Sequence, residues 1–204
     1  MDNSHTHFGP SSAIPQVTSP AGIKLGVKGL VLTEIAVASI QLSGFGSGSA
    51  LDAWMVSALK VSPQPNTFVS VADGRVDIAA IAPATWLMSG AAADLDSVIA
   101  SAGVELGGVA AITELSDGRN VFLQLEGEPA ATVLSKYIDM DFEGGALAPG
   151  RCASTGIHDT AVLVSCRRPN LFQLVVHRSM AASLAETLVD GAAEFGINVA
   201  RLEK

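Results

Sequence analysis

Val109-Ala110-Ala111-Ile112-Thr113-Glu114-Leu115-Ser116-Asp117-Gly118-Arg119-Asn120-Val121-Phe122-Leu123-Gln124-Leu125 is the stretch on which the fold turns. Its two halves, Val109–Leu115 and Asn120–Leu125, read as alternating strands, and Asp117-Gly118 stands between them. Asp-Gly is a strong hairpin signal because a tight turn needs positive φ, which glycine adopts without a Cβ clash. The expectation is therefore a hairpin over Val109–Leu125.

Downstream, Glu128-Pro129 opens a helix, with an acid near the positive end of the dipole and proline where no N–H is needed. Val133, Leu134 and Tyr137 mark its inner face. Gly150–Ile157, Thr160–Cys166 and Leu171–Val176 read as strands, the last two joined through Arg167-Arg168-Pro169-Asn170. Ser179 is expected to cap a final helix in which Met180, Leu184 and Leu188 repeat every four residues. Strands followed by a helix, then strands and a helix, predict an α+β fold of antiparallel sheets with helices packed on one face.

Upstream, the β-branched run Val31–Leu42 reads as one strand, and Gly44-Phe45-Gly46-Ser47-Gly48 ends it. That glycine cluster lacks the Lys-Ser/Thr ending and the helix start of a phosphate loop, so it reads as a turn before a short helix around Ala50–Leu59. Thr67–Asp73, Val76–Ala80 and Trp86–Met88 read as short antiparallel strands, and Ala91–Ala102 as a helix with Leu95, Val98 and Ile99 on one face. Residues 1–22, with Pro10, Pro15 and Pro20, lack apolar periodicity and are expected to form a flexible arm. Residues 23–204 are expected to form one α+β unit, divisible into sub-lobes of about 23–105 and 106–204.

Only 16% of the 204 residues are charged, and 49% are hydrophobic with 20 glycines besides. Few charges on a hydropathic chain fit a surface shielded by a protein partner, and fit an alanine-rich monomer equally well. A net charge of −8 and the lack of any Lys/Arg run argue against nucleic acid or an anionic membrane as that partner. Met1–Ser12 shows no signal-peptide pattern, and its His5 and His7 read as incidental. The longest uncharged runs, Ile35–Leu51 and Ile78–Ala93, fall short of about 18 apolar residues, so no membrane span and a cytoplasmic location are expected.

Reactive groupings are sparse. A nucleophilic site needs Cys152 or Cys166 beside His158 or His177, and nothing in the spacing pairs them. Both cysteines fall in strands and read as buried free thiols. His177-Arg178 reads as a solvated pair at a strand end. Asp139, Asp141 and Glu143 alternate without the glycine and terminal Glu of an oxygen-ligand loop, and read as a solvated edge. No metal-ligand cluster stands out. The glycines of Gly103–Gly108 lack dinucleotide-binding order, and Trp54 and Trp86 read as core or interface anchors. No catalytic, cofactor-binding or metal residue is assigned to this chain, and protein binding is the leading function by elimination.

Thr113 to Arg119, the run Ala148-Pro149-Gly150-Arg151-Cys152-Ala153-Ser154-Thr155 and the run Val176-His177-Arg178-Ser179-Met180-Ala181-Ala182-Ser183-Leu184 resemble, in order and spacing, the gamma subunit of heterotetrameric sarcosine oxidases. Pro83-Ala84-Thr85-Trp86-Leu87-Met88 is similar to that family's PxxWL segment, so the resemblance covers about residues 75–197. The resemblance implies a fold like the folate-binding domains of glycine-cleavage T-protein. It implies a complex with a large alpha, a flavin-binding beta and a small zinc-binding delta subunit, carrying FAD, FMN, NAD and zinc outside this chain. Such a complex oxidatively demethylates sarcosine to glycine, forming hydrogen peroxide and, with tetrahydrofolate, methylenetetrahydrofolate.

On this reading the chain is a non-catalytic structural subunit. Three rivals stand beside it. The first is a folate-binding module using a carboxylate for the pterin and Arg119 or Arg151 for the glutamate tail. The second is a subunit of a related dimethylglycine- or proline-type oxidase or dehydrogenase, and the third a cysteine-dependent transferase at Cys152.

Overall fold

A computed structural model of the chain describes residues 12–14, 29–46, 48–115, 119–142 and 145–201. The first half contains β1 (Leu30–Ile35), β2 (Ala38–Gly44), α1 (Ser49–Trp54) running into a π-helical turn Met55–Leu59, β3 (Phe68–Val71), β4 (Val76–Ala82), β5 (Thr85–Gly90) and α2 (Ala92–Glu105). The second contains β6 (Ala110–Glu114), β7 (Asn120–Glu126), α3 (Ala130–Ser135), β8 (Cys152–Ile157), β9 (Thr160–Arg168), β10 (Leu171–His177), α4 (Arg178–Gly191) and β11 (Ile197–Ala200). The class is α+β, as the order of elements predicts.

Two sheets result, one of six strands in the order β11-β1-β7-β10-β9-β8 and one of five in the order β3-β4-β5-β2-β6. Alternation explains how they stack. Leu123, Leu125, Leu174 and Val176 face α3 and α4 and join Leu184 and Leu188 in one core. Their neighbours Phe122 and Val175 point the other way and meet Leu87 of the five-stranded sheet and Leu115, just past the end of β6. On that sheet Ile40, Leu42, Ile78 and Met88 pack with Leu51, Trp54 and Leu95 in a second core under α1 and α2. The layers are thus helix, sheet, sheet, helix, each sheet carrying helices on one face only. Each fully buried leucine contributes about 1.5–3 kcal/mol, so the two helix-facing cores hold most of the stability and the thinner seam between the sheets holds less.

Several expectations are corrected. β6 and β7 do not form a hairpin: β6 pairs with β2, whereas β7 lies between β1 and β10 in the other sheet. The turn residues Ser116–Gly118 lie outside the described residues, and the link that remains is Asn120 N–H donating to the Leu115 carbonyl at 3.1 Å. Val31–Leu42 is two strands rather than one, broken at Ala36-Val37, and β1 and β2 enter different sheets. A run of alternating residues shows that faces alternate and leaves the neighbouring strand open. β11, unanticipated, pairs with β1 in parallel, Leu30 opposite Ile197, and makes the larger sheet mixed. The final helix starts at Arg178 with His177 as its cap, and no side chain bonds there, so Ser179 is not the cap.

β1 joins a sheet otherwise built from residues 120–200, and β6 one otherwise built from 38–90. Most of the 1–22 arm is outside the described residues, but Ser12–Ile14 are placed. Ile14 is buried in the larger core. Glu34, only 4% exposed, accepts from the Ser12 hydroxyl and from the Ala13 N–H at 2.8 Å. Arg201 Nε completes the strap on Ser12 Oγ at 3.3 Å.

Candidate functional site

The seam between the sheets is where polar side chains gather. Ser89, Ser165 and Gln173 are buried there. Asp77 of β4 meets Arg167 of β9 at 2.7 Å, the two side chains 20% and 22% exposed. The Ser70 hydroxyl donates to the other Asp77 oxygen at 2.6 Å, and the Arg167 guanidinium lies 4.5 Å from the Phe68 ring centroid. This clamp joins the two sheets, and nothing in the sequence pairs residues 77 and 167; the one hint is a charge set between Val76 and Ile78 in an apolar strand.

At one end of the seam a cavity of about 260 Å³ is lined by Gln41, Leu87, Leu115, Arg119, Ser154 and His177 among others. Arg119 and His177, exposed at its rim, make no ion pair among the described residues. Ser154 Oγ donates to the Ile81 carbonyl at 3.5 Å, closing one wall. None of its described lining residues is a carboxylate, and Arg151 lies outside it, on the bridge to Thr67 at the sheet edge.

Cys152 and Cys166 are buried free thiols. Cys152 stands opposite Ser165 in the β8–β9 register, so Cys166, one residue on, projects from the opposite face. Burial pushes the Cys152 thiol up to about 11 despite the opposing pull of Arg151, and burial also raises Cys166. Both are neutral at physiological pH, the wrong state for a nucleophile. His158 lies beyond the far end of β8, about 20 Å from Cys152 at a strand's rise per residue, and its ring packs edge-on against Tyr137. Asp139 and Asp141 are exposed, while Glu143, His5 and His7 lie outside the described residues. No group of three or more His, Cys, Asp or Glu suited to a metal occurs among the described residues. No helix among them is long and apolar enough to cross a membrane.

A second pocket, of about 600 Å³, lies on the helix side of the five-stranded sheet, between α1, the loop Ser62–Asn66 and the β4–β5 turn. Pro63, Pro65, Pro83 and the β4 alanines form its walls, with Trp86 among them. The Trp86 indole N–H is buried without a hydrogen-bond partner, as is that of Trp54. Sequence reasoning placed both tryptophans as anchors and missed the pocket, because it forms from residues 52, 62–66 and 80–86, which only folding brings together.

No family model matches the chain, and no curated protein matches it in sequence. Among solved structures, a chain of the heterotetrameric sarcosine oxidase from Corynebacterium sp. U-96, in complex with pyrrole 2-carboxylate, aligns with TM-score 0.70 at 22% identity, over 87% of this chain and 92% of that one. The glycine cleavage system aminomethyltransferase T from Bartonella henselae aligns with TM-score 0.64 at 16% identity, over 85% of this chain and 48% of that one. The two-sheet architecture described above is the fold these proteins share with this chain, a T-protein-like α+β fold.

Proposed function

We propose that this chain is the non-catalytic, gamma-type subunit of a heterotetrameric sarcosine oxidase. The observation that carries the reading is the alignment with a chain of such an oxidase over nearly the whole of both, which makes the two close in length. The neutral thiols, which project from opposite faces of the sheet, and the small seam cavity fit a chain that holds other subunits in register. On this reading FAD, FMN, NAD and zinc belong to the alpha, beta and delta partners, and the cytoplasmic complex oxidises sarcosine to glycine with hydrogen peroxide and methylenetetrahydrofolate as further products. Large exposed apolar side chains among the described residues are few, namely Phe45, Val56, Val104 and Val109. Phe45 and Val109 adjoin through Phe45 N–H donating to the Val109 carbonyl at 2.9 Å, and offer one contact patch beside the open edge of β6.

A folate-binding module is the second reading, favoured by the likeness to aminomethyltransferase T and by Arg119 at the seam cavity. The cavity does not fit that ligand well. About 260 Å³ is below the roughly 300–1,000 Å³ of organic-ligand sites, and no carboxylate among its described lining residues is present to pair with a pterin ring.

Co-expression of the tagged chain with its neighbouring-gene products decides between them. A flavin absorption spectrum in the co-purified complex is expected, with sarcosine turnover lost when this chain is omitted. Full assembly and turnover without the chain would refute the structural role, and saturable heat on titrating the isolated chain with tetrahydrofolate would establish the second reading in its place.

A further inference from the structure

We infer that the pocket beside Trp86 is a docking site for an extended protein segment that carries a basic side chain, a surface separate from the seam and independent of whether the chain serves an oxidase. Three observations converge on it. The pocket's volume, about 600 Å³, is enough to enclose one or two residues of a peptide together with their side chains. Its walls are largely proline and alanine, which have little or no side-chain entropy left to lose when something binds against them.

The polar groups that line it are complementary to a polypeptide with positive charge. Trp86, 5% exposed, lines the pocket with its ring, and its buried indole N–H has no acceptor among the described residues, so its signal reports on anything packed against that wall. The Gln64 and Asn66 side-chain amides sit on the same loop and can pair with backbone N–H and C=O groups. Asp52, exposed on α1 at the mouth, has no ion-pair or hydrogen-bond partner for its carboxylate among the described residues, on a chain whose net charge is −8. A Lys or Arg is the side chain that such a carboxylate attracts. Val56, four residues after Asp52 on the adjoining π-helical turn, is a large apolar side chain 52% exposed. A small neutral metabolite would leave Asp52 unanswered, and a phosphate-bearing ligand would be repelled by it.

The test uses the full chain labelled with nitrogen-15, whose Trp54 and Trp86 indoles give two resolvable N–H signals, assigned with Trp86→Phe. The probes are a capped pentapeptide of alanine and proline with a central lysine, the same peptide with norleucine in place of lysine, and acetyl-lysine-methylamide. We expect the lysine peptide to shift the Trp86 signal saturably while the Trp54 signal, outside the pocket, stays put. The norleucine peptide should bind about fivefold more weakly, the size of an exposed ion pair, and Asp52→Asn should erase that difference with the rest of the spectrum unchanged. Failure of the Trp86 signal to move at about 10 mM peptide, a concentration that would reveal even very weak binding, overturns the proposal. So does equal affinity for the two peptides, a lysine preference that survives in Asp52→Asn, or binding of acetyl-lysine-methylamide as tightly as the peptide, which would make this a small-molecule pocket.

Discussion

Replacing Arg167 by methionine tests whether the seam is held by its clamp. Methionine keeps most of the aliphatic bulk and deletes the charge and the planar fork. Asp77 is then left with the Ser70 hydroxyl, donating at 2.6 Å, in a site about one fifth exposed. Truncating one partner of a fully buried charged pair costs about 2–5 kcal/mol, and partial exposure brings this toward the lower end, about 2 kcal/mol. Loss of the cation from the Phe68 ring, 4.5 Å from its centroid, adds about 0.5–1 kcal/mol. A total near 2–3 kcal/mol lowers the melting temperature of a chain this size by about 4–12 °C. Urea unfolding followed by both tryptophan fluorescence and circular dichroism measures it, and coincidence of the two probes checks that one transition is being read. In a double-mutant cycle with Asp77→Asn the coupling should be about 1–2 kcal/mol. Arg167→Met within about 0.5 kcal/mol of the parent, or strict additivity with Asp77→Asn, would refute the view that this pair ties the sheets together.

Two further outcomes follow from the geometry. Folded Cys152 keeps its proton up to about pH 11, where the unfolded chain, with an ordinary thiol near 9.0, has lost it. The stability this provides is whole below about pH 9 and disappears as pH climbs to about 11, so denaturation midpoints should fall across that window and fall less in Cys152→Ala; at pH 8 iodoacetamide should label the cysteines in urea and spare them in the folded chain. Gly48, at φ 72°, has no room for a Cβ, which would stand 2.2 Å from that of Ala84, whereas Gly46, at φ 59°, faces open space. Gly48→Ala should therefore cost about 2–4 kcal/mol and Gly46→Ala about 1–2 kcal/mol in the same urea assay, and equal losses would show that the contact with Ala84 is unimportant.

Most of the local structure was legible in the residues. Alternation located nearly every strand from Thr67 onward, the stripes Leu95-Val98-Ile99 and Met180-Leu184-Leu188 located the two long helices, and strand placement foretold that Cys152 and Cys166 would be buried. The order of elements was enough for the α+β class, and the motif order from residue 83 to 184 was enough to anticipate a T-protein-like fold. Those are properties of neighbours along the chain: a period of two or of 3.6 is visible within a dozen residues.

Which strand lies beside which was decided only in three dimensions. The Asp117-Gly118 signal predicted a hairpin because the local turn preference is real, yet β6 gains its partner from β2, some seventy positions earlier, and β7 from β1 and β10. The break at Ala36-Val37 is invisible because alternation passes through a change of sheet without a gap, and β11 is four residues whose existence depends on Leu30 meeting Ile197. The Asp77–Arg167 clamp and the Trp86 pocket have the same origin. Hydrogen bonds, ion pairs and cavities between residues remote in sequence follow from the packing of the cores against one another, so a one-dimensional pattern names the surfaces that must be buried, and the folded chain selects what each is buried against.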